Sequence, residues 1–210
     1  MPKNKHPLLL LLKKYAVDRQ SKAYLQHIAK RNALFNEGEI FWLRPHKKGT
    51  NYYFLVGATT CLISIIGAGV FSFFNDKLTA LSILIFCAPL GLTILYLGYI
   101  LGLTRIGSDG LHLVLNDHRG CEARARSSHV MCAREALIIG HNVVITHAFY
   151  NTKKLVTDIY PLMRQAHYLS PLELRWQLFL LKHPTVYLPL LSLFFSTLAF
   201  IFIIKFNLFL

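Results

Sequence analysis

Apolar positions fall into three unbroken runs, and the charged residues are crowded between them. Residues 52–74, 78–103 and 186–204 contain no Lys, Arg, Asp, Glu or His. About 20 apolar residues wound as a helix cover the ~30 Å hydrocarbon core of a bilayer, so each run is long enough to cross. The pattern predicts a membrane protein with three transmembrane α-helices. Residues 52–103 form a transmembrane hairpin turned at Asn75-Asp76-Lys77, and residues 184–210 form a C-terminal span. Residues 104–183 are expected to be a small cytoplasmic α+β domain. Residues 1–51 are expected to be a basic cytoplasmic segment with an amphipathic helix.

Between the runs the periodicity changes. Leu8, Leu11, Leu12, Tyr15, Tyr24, Leu25 and Ile28 recur at three- and four-residue spacing, with Lys13, Lys14, Arg19, Lys22, Lys30 and Arg31 among them. This predicts a basic amphipathic helix over residues 8–32, lying either on the membrane surface or on the protein's own domain. Glu39–Arg44, ahead of Pro45, reads as a short extended piece. After the hairpin, 103–106 and 111–115 read as strands about a Ser108-Asp109-Gly110 turn. Residues 121–127 alternate as a third strand, and 136–140 and 143–147 flank a His141-Asn142 turn. Leu155, Ile159, Leu162 and Ala166 then share a helical face, with Pro161 expected to break or bend it. Ser170-Pro171-Leu172-Glu173 is a capping box opening a helix that runs to about Lys182.

Small residues mark one face of each hairpin span. Gly57, Cys61, Ser64 and Ala68 are spaced four, three and four apart, and Gly91, Gly98 and Gly102 share a narrow face. Small faces let helices approach closely in lipid, so these residues are the expected packing surface within the hairpin, or against a partner helix. Pro89 is expected to kink the second span. Trp42, Tyr52 and Tyr53 at one interface, and Lys205 about 29 Å along the last span, are the expected interface anchors.

Charge then assigns sides. Residues 1–51 carry eleven Lys or Arg against Asp18, Glu37 and Glu39, and residues 104–185 carry ten against six acids. The positive-inside rule places both regions in the cytoplasm and the C-terminus outside. The expected setting is a bacterial inner membrane. The net charge of +13 raises nucleic acid as a partner, but no recognised motif accompanies it, so the expected partners are the lipid bilayer, anionic lipid and a membrane or cytosolic protein.

Of four cysteines, Cys61 and Cys87 lie in spans and Cys121 and Cys132 in the polar region, a placement that argues against a disulfide framework. Leu8–Leu12 is too short for the apolar core of a cleavable signal peptide and is followed at once by Lys13-Lys14. His118-x-x-Cys121 and His129-x-x-Cys132 have the residue types of a tetrahedral zinc site, yet the link between the pairs is short and a strand at Cys121–Arg126 would turn ligands to alternate faces. The expectation is therefore structural: a loop histidine and two buried thiols, with no metal and no cofactor. Asp109, Asp117, Glu122, Glu135 and Asp158 are scattered over turns and strands, without a nucleophile elbow, phosphate loop or zinc-protease helix, which argues against an enzyme. The spans lack ionisable groups, which argues against a transport path.

The order of elements over residues 52–167 resembles that of bacterial membrane proteins in which a transmembrane hairpin feeds a pleckstrin-homology-like domain. No motif carries it, the strands are fewer, and an additional helix and span follow, so no residue role is carried over. The sequence reads best as a non-enzymatic membrane subunit or accessory scaffold presenting a basic cytoplasmic domain. The other classes it allows are a ligand or metal sensor and an enzyme needing a second chain.

Overall fold

The structure is a computed structural model that describes residues 22–36, 38–147, 149–163 and 165–205. These form two units. One comprises the described residues up to His46 together with Leu103–Leu174, and the other comprises Lys47–Gly102 and the residues from Arg175 onward. Three helices are long and apolar enough to cross a membrane, and a region built on sheets lies between the second and third in the chain.

The sheet unit starts with helix α1, Lys22–Asn36, and strand β1, Phe41–Leu43. The start of the expected helix at Leu8–Tyr15 lies outside the described residues. The part that is described packs on its own unit. The Arg31 guanidinium pairs with Asp158 at 3.6 Å, and the Phe35 ring covers Gly110. Helix α1 ends where Gly38, at a φ of +73°, takes the left-handed conformation that a residue with a Cβ adopts only at a cost.

Strand β1 pairs antiparallel with β2, Arg105–Ser108, so chain from before the apolar hairpin joins a sheet built after it. Strands β3, Leu113–Asn116, and β4, Glu122–Ala125, complete this sheet in the order β1-β2-β3-β4. A second sheet has the order β7-β6-β5-β8. Its members are β5, Met131–Cys132, β6, Ala136–Ile139, β7, Asn142–Ile145, and β8, His167–Tyr168, and β8 pairs parallel to β5. The described strands number eight: five overlap the expected strand segments and β1 lies within the expected extended piece. The missed ones, β5 and β8, are two-residue pieces too short to show a period-two pattern.

The core of this unit is apolar side chains drawn from both sheets. Ile106, Val114, Leu115, Leu137, Ile138, Val143 and Val144 are fully buried. All four residues of β6 are buried, as are the first three of β3 and of β7. Burial on both faces leaves a continuous apolar run instead of an alternating one. Residues 152–163 follow as a helical stretch containing a π turn at Leu155–Ile159 and a tight 3-10 turn at Tyr160–Met163. The expected disturbance at Pro161 takes this form. Proline has no N–H for an α-helical bond, so the turn is re-spaced around it while Ile159 and Met163 stay in the core.

Two turns differ from expectation because side chains claim the backbone. The Asp109 carboxylate accepts from the N–H groups of Leu111 and His112 at 2.9 and 2.7 Å, which delays β3 to Leu113. The second hairpin turns at Gly140-His141, and Asn142 is the first residue of β7.

The other unit holds helices α2, Lys47–Phe73, and α3, Lys77–Gly102, joined at Asn75, which adopts a φ of +62°. Asp76 caps α3 by accepting from Thr79 N–H. Helix α4, Pro171–Leu180, whose first turn belongs to the sheet unit, and helix α5, Pro184–Lys205, follow later in the chain. The expected capping box at the start of α4 is formed, with Ser170 N–H donating to Glu173 and Glu173 N–H to Ser170 Oγ.

Helix α3 continues past Pro89 with a specific compensation. A proline at 89 leaves the carbonyl of residue 85 without its helical donor. The Ser196 hydroxyl of α5 donates to that Ile85 carbonyl at 2.7 Å, and Ser196 is buried. Ser196→Ala is expected to lower stability by about 1 kcal/mol, read as thermal unfolding in detergent. In a Pro89→Ala background the new N–H serves Ile85, so the same change should cost less. Equal costs in both backgrounds would show that the serine does not serve this carbonyl.

Candidate functional site

Strand β4 is an edge strand of the first sheet, and it carries exposed charge at Glu122 and Arg124. The segment leading into it, Asn116-Asp-His-Arg-Gly120, is a turn sequence with glycine at a φ of +79°. Asp117 is buried and organises the turn. One carboxylate oxygen accepts from the N–H groups of Arg119 and Cys121 at 2.9 and 3.1 Å, and the other holds the Arg119 guanidinium at 2.8 Å. Buried Asn142 donates its amide to the Cys121 carbonyl at 2.7 Å, tying the turn to the second sheet.

The strand alternates. Ala123 and Ala125 are half-buried, whereas Glu122 and Arg124 are exposed, and Arg126 continues the exposed series. Arg124 donates to Glu122 at 2.8 Å with its side chain about half exposed, a pair worth little in stability. Arg126 makes no ion pair with a described residue. Charged side chains on a sheet edge keep it from pairing indiscriminately and leave recognition to charge.

The structure does not bring the four candidate metal ligands together. Cys121 precedes β4 in the first sheet, and Cys132 lies in β5 of the second. His129 is exposed beside Ser128, and among the described residues no three His, Cys, Asp or Glu side chains stand close enough to hold a metal ion. His118 is half-buried. Burial lowers its pKa below the usual histidine range, Asp117 partly opposes this and Arg119 adds to it. Cys132 is fully buried, and burial pushes its thiol up to about 11. Cys121 is exposed, so the expectation of two buried thiols is corrected. Its position at the rim of the Asp117 turn, ahead of the strand, puts it in solvent. A maleimide at neutral pH should therefore label Cys121 fast and Cys132 only on unfolding, because the thiolate is the reacting species. Labelling that is unchanged by Cys121→Ser would contradict this.

Gly57 and Cys61 face Gly91, whereas Gly98 and Gly102 meet Tyr53 and Thr50. A Cβ on Gly57 would lie 2.9 Å from the Gly91 carbonyl, and one on Gly91 would lie 2.5 Å from Cys61 Sγ. A Cβ on Gly98 would lie 2.6 Å from the Tyr53 Cβ, and one on Gly102 3.1 Å from Thr50 Oγ1. Ser64 and Ala68 are buried. Of the expected anchors, Trp42 lies in β1 and packs over Gly107, which places it in the sheet unit. Tyr52 is exposed in the first turns of α2, Tyr53 is part of the helix contact, and Lys205 is exposed at the end of α5. Thr60 donates to the Val56 carbonyl of its own helix, unlike Ser196, which serves Ile85 of α3.

Sequence reasoning missed the roles of Asp117, Asn142, Asp158 and Ser196. Only Asp117 had a local signal, its spacing to Gly120. The other three depend on partners 21 to 127 residues away, namely Cys121, Arg31 and Ile85. Comparison with family models, curated proteins and solved structures finds no match to this chain.

Proposed function

We propose that this is a non-enzymatic membrane subunit or accessory scaffold. Its apolar hairpin and C-terminal span anchor a basic α+β domain that docks a protein partner or anionic lipid. The large polar regions lie in the cytoplasm under the positive-inside rule, and the bacterial inner membrane is the setting that the order of elements implies.

One observation carries the reading. Five of the seven described acids of the sheet unit are engaged locally, Glu39 and Glu135 being exposed, while Arg126 and Arg134 are not. Asp109 and Asp117 hold turns, Glu122 and Asp158 hold arginines, and Glu173 caps α4. A general acid or base needs a carboxyl within reach of a substrate proton, and these are committed to the fold. Arg126 and Arg134, by contrast, are exposed and make no ion pair with a described residue. The surface that results attracts acidic groups.

Purification of the full chain from membranes in mild detergent tests this. A stoichiometric protein, or retained anionic lipid seen by native mass spectrometry, should be recovered with the wild type. It should be lost with Arg124→Glu/Arg126→Glu and weakened by salt. Equal recovery with the charge-reversed variant would contradict the reading.

A further inference from the structure

Helix α4 carries an apolar stripe that faces away from the protein. Leu172, Trp176, Phe179 and Leu180 are spaced four, three and one apart, which sets them on one face. They are 82%, 60%, 43% and 54% exposed. The opposite side of the same helix is buried at Leu174 and Leu178, so the exposed stripe is not simply the outside of an unpacked helix. Trp176 and Phe179 stack on each other, with ring centroids 6.0 Å apart.

What covers the stripe follows from where the helix leads. Only Leu181, Lys182 and His183 separate α4 from α5. Lys182 turns the chain at a φ of +51°, and the N–H of His183 donates to the Leu178 carbonyl, which closes α4. The His183 ring then accepts from the Thr185 N–H, which opens α5. The exposed apolar surface of α4 thus runs within one capped turn into the apolar surface of a helix long enough to cross a membrane. Arg175 flanks the stripe and Lys182 closes it, both exposed, where phosphate headgroups would lie beside the apolar side chains.

We propose that α4 lies in the plane of the bilayer interface, with Leu172, Trp176, Phe179 and Leu180 seated among phospholipid headgroups and upper acyl chains. The proposal rests on the reading of α5 as a span. An interfacial helix of this kind buries its apolar face about 5–10 Å into the headgroup and acyl boundary, and tryptophan is favoured at that depth.

The protein has two tryptophans, so the difference between wild type and Trp176→Phe isolates Trp176. The full chain would be reconstituted in phosphatidylcholine vesicles containing phosphatidylglycerol. Lipid brominated high on the acyl chain should quench the Trp176 component by roughly twofold, and aqueous iodide should quench it little. A control, Phe195→Trp in Trp176→Phe, reports on the middle of α5 and should be quenched by deeply brominated lipid. If the control is quenched and Trp176 is instead open to iodide, α5 spans and the interface proposal is overturned. If Trp176 is shielded from both iodide and brominated lipid, protein covers it and the proposal is likewise overturned. If the control is not quenched, the span reading fails, and the proposal fails with it.

Discussion

Gly57→Leu is expected to force apart the two helices of the apolar hairpin, the largest loss of stability among single changes in that unit. A Cβ at Gly57 would sit 2.7 Å from Leu95 Cγ and 2.9 Å from both the Gly91 carbonyl and the Leu95 nitrogen. Two of those three atoms are backbone and cannot rotate away. The helices can accommodate the new atom only by separating, and separation breaks every close contact from Gly57 to Gly102. Over-packing of a tight core costs about 1–3 kcal/mol, so Gly57→Ala should fall in that range and leucine above it. Gly69 is the matched control. It lies on the same helix, and a Cβ there would meet nothing within 4 Å, so Gly69→Ala should leave stability unchanged. Leu95 is unsuitable as a control, since it is part of the contact. Thermal unfolding in detergent reads all three changes. A loss at Gly69 as large as that at Gly57 would show that close approach is not what is being measured, since alanine is the better helix former at both.

The second large effect belongs to the sheet unit. Phe149 is fully buried, and its carbonyl accepts from the N–H of His46 at 2.5 Å, close to where the chain leaves β1. The next residue, Tyr150, donates its hydroxyl to the buried Thr104 carbonyl at 3.0 Å just before β2, and burial raises its phenol well above the usual tyrosine range. These neighbours pin the loop after β7 to both ends of the segment that interrupts the sheet. Phe149→Ala removes the largest fully buried side chain of the domain and should cost about 3–5 kcal/mol. That approaches the whole stability of many small domains. Limited proteolysis should find residues 104–170 newly susceptible while α2 and α3 remain protected. A domain as resistant as the wild type would contradict the assigned core.

How much of this was legible in the sequence depended on the range of the forces involved. The long helices were, because the absence of charge over about 20 residues is a local fact. So was the capping box at Ser170–Glu173, whose partners are three residues apart. The small faces were legible as spacing, while their unequal tightness was not. Gly57 meets backbone whereas Gly102 meets a threonine side chain that can shift, and the sequence looks the same at both. Strand β1 was legible as an extended piece but not as a partner of β2, since 61 residues separate Leu43 from Arg105. The His/Cys pairs invited a metal reading through spacing alone, and spacing did not show that Cys121 sits in the turn ahead of β4 while Cys132 lies in β5 of the second sheet. The exposed stripe of α4 was hidden because leucine and tryptophan at helical spacing look alike whether they face a core or a bilayer.

Under the proposed function, the apolar helices hold the basic sheet domain on the cytoplasmic side of a membrane. Labelling with a membrane-impermeant maleimide tests it most directly, in intact cells and in inverted membrane vesicles, with Cys121→Ser subtracted as background. Cys121 should be labelled only in inverted vesicles, and a cysteine replacing Asp76, at the tip of the hairpin, only in intact cells. Labelling of both from the same side, or of Cys121 from outside the cell, would contradict the account.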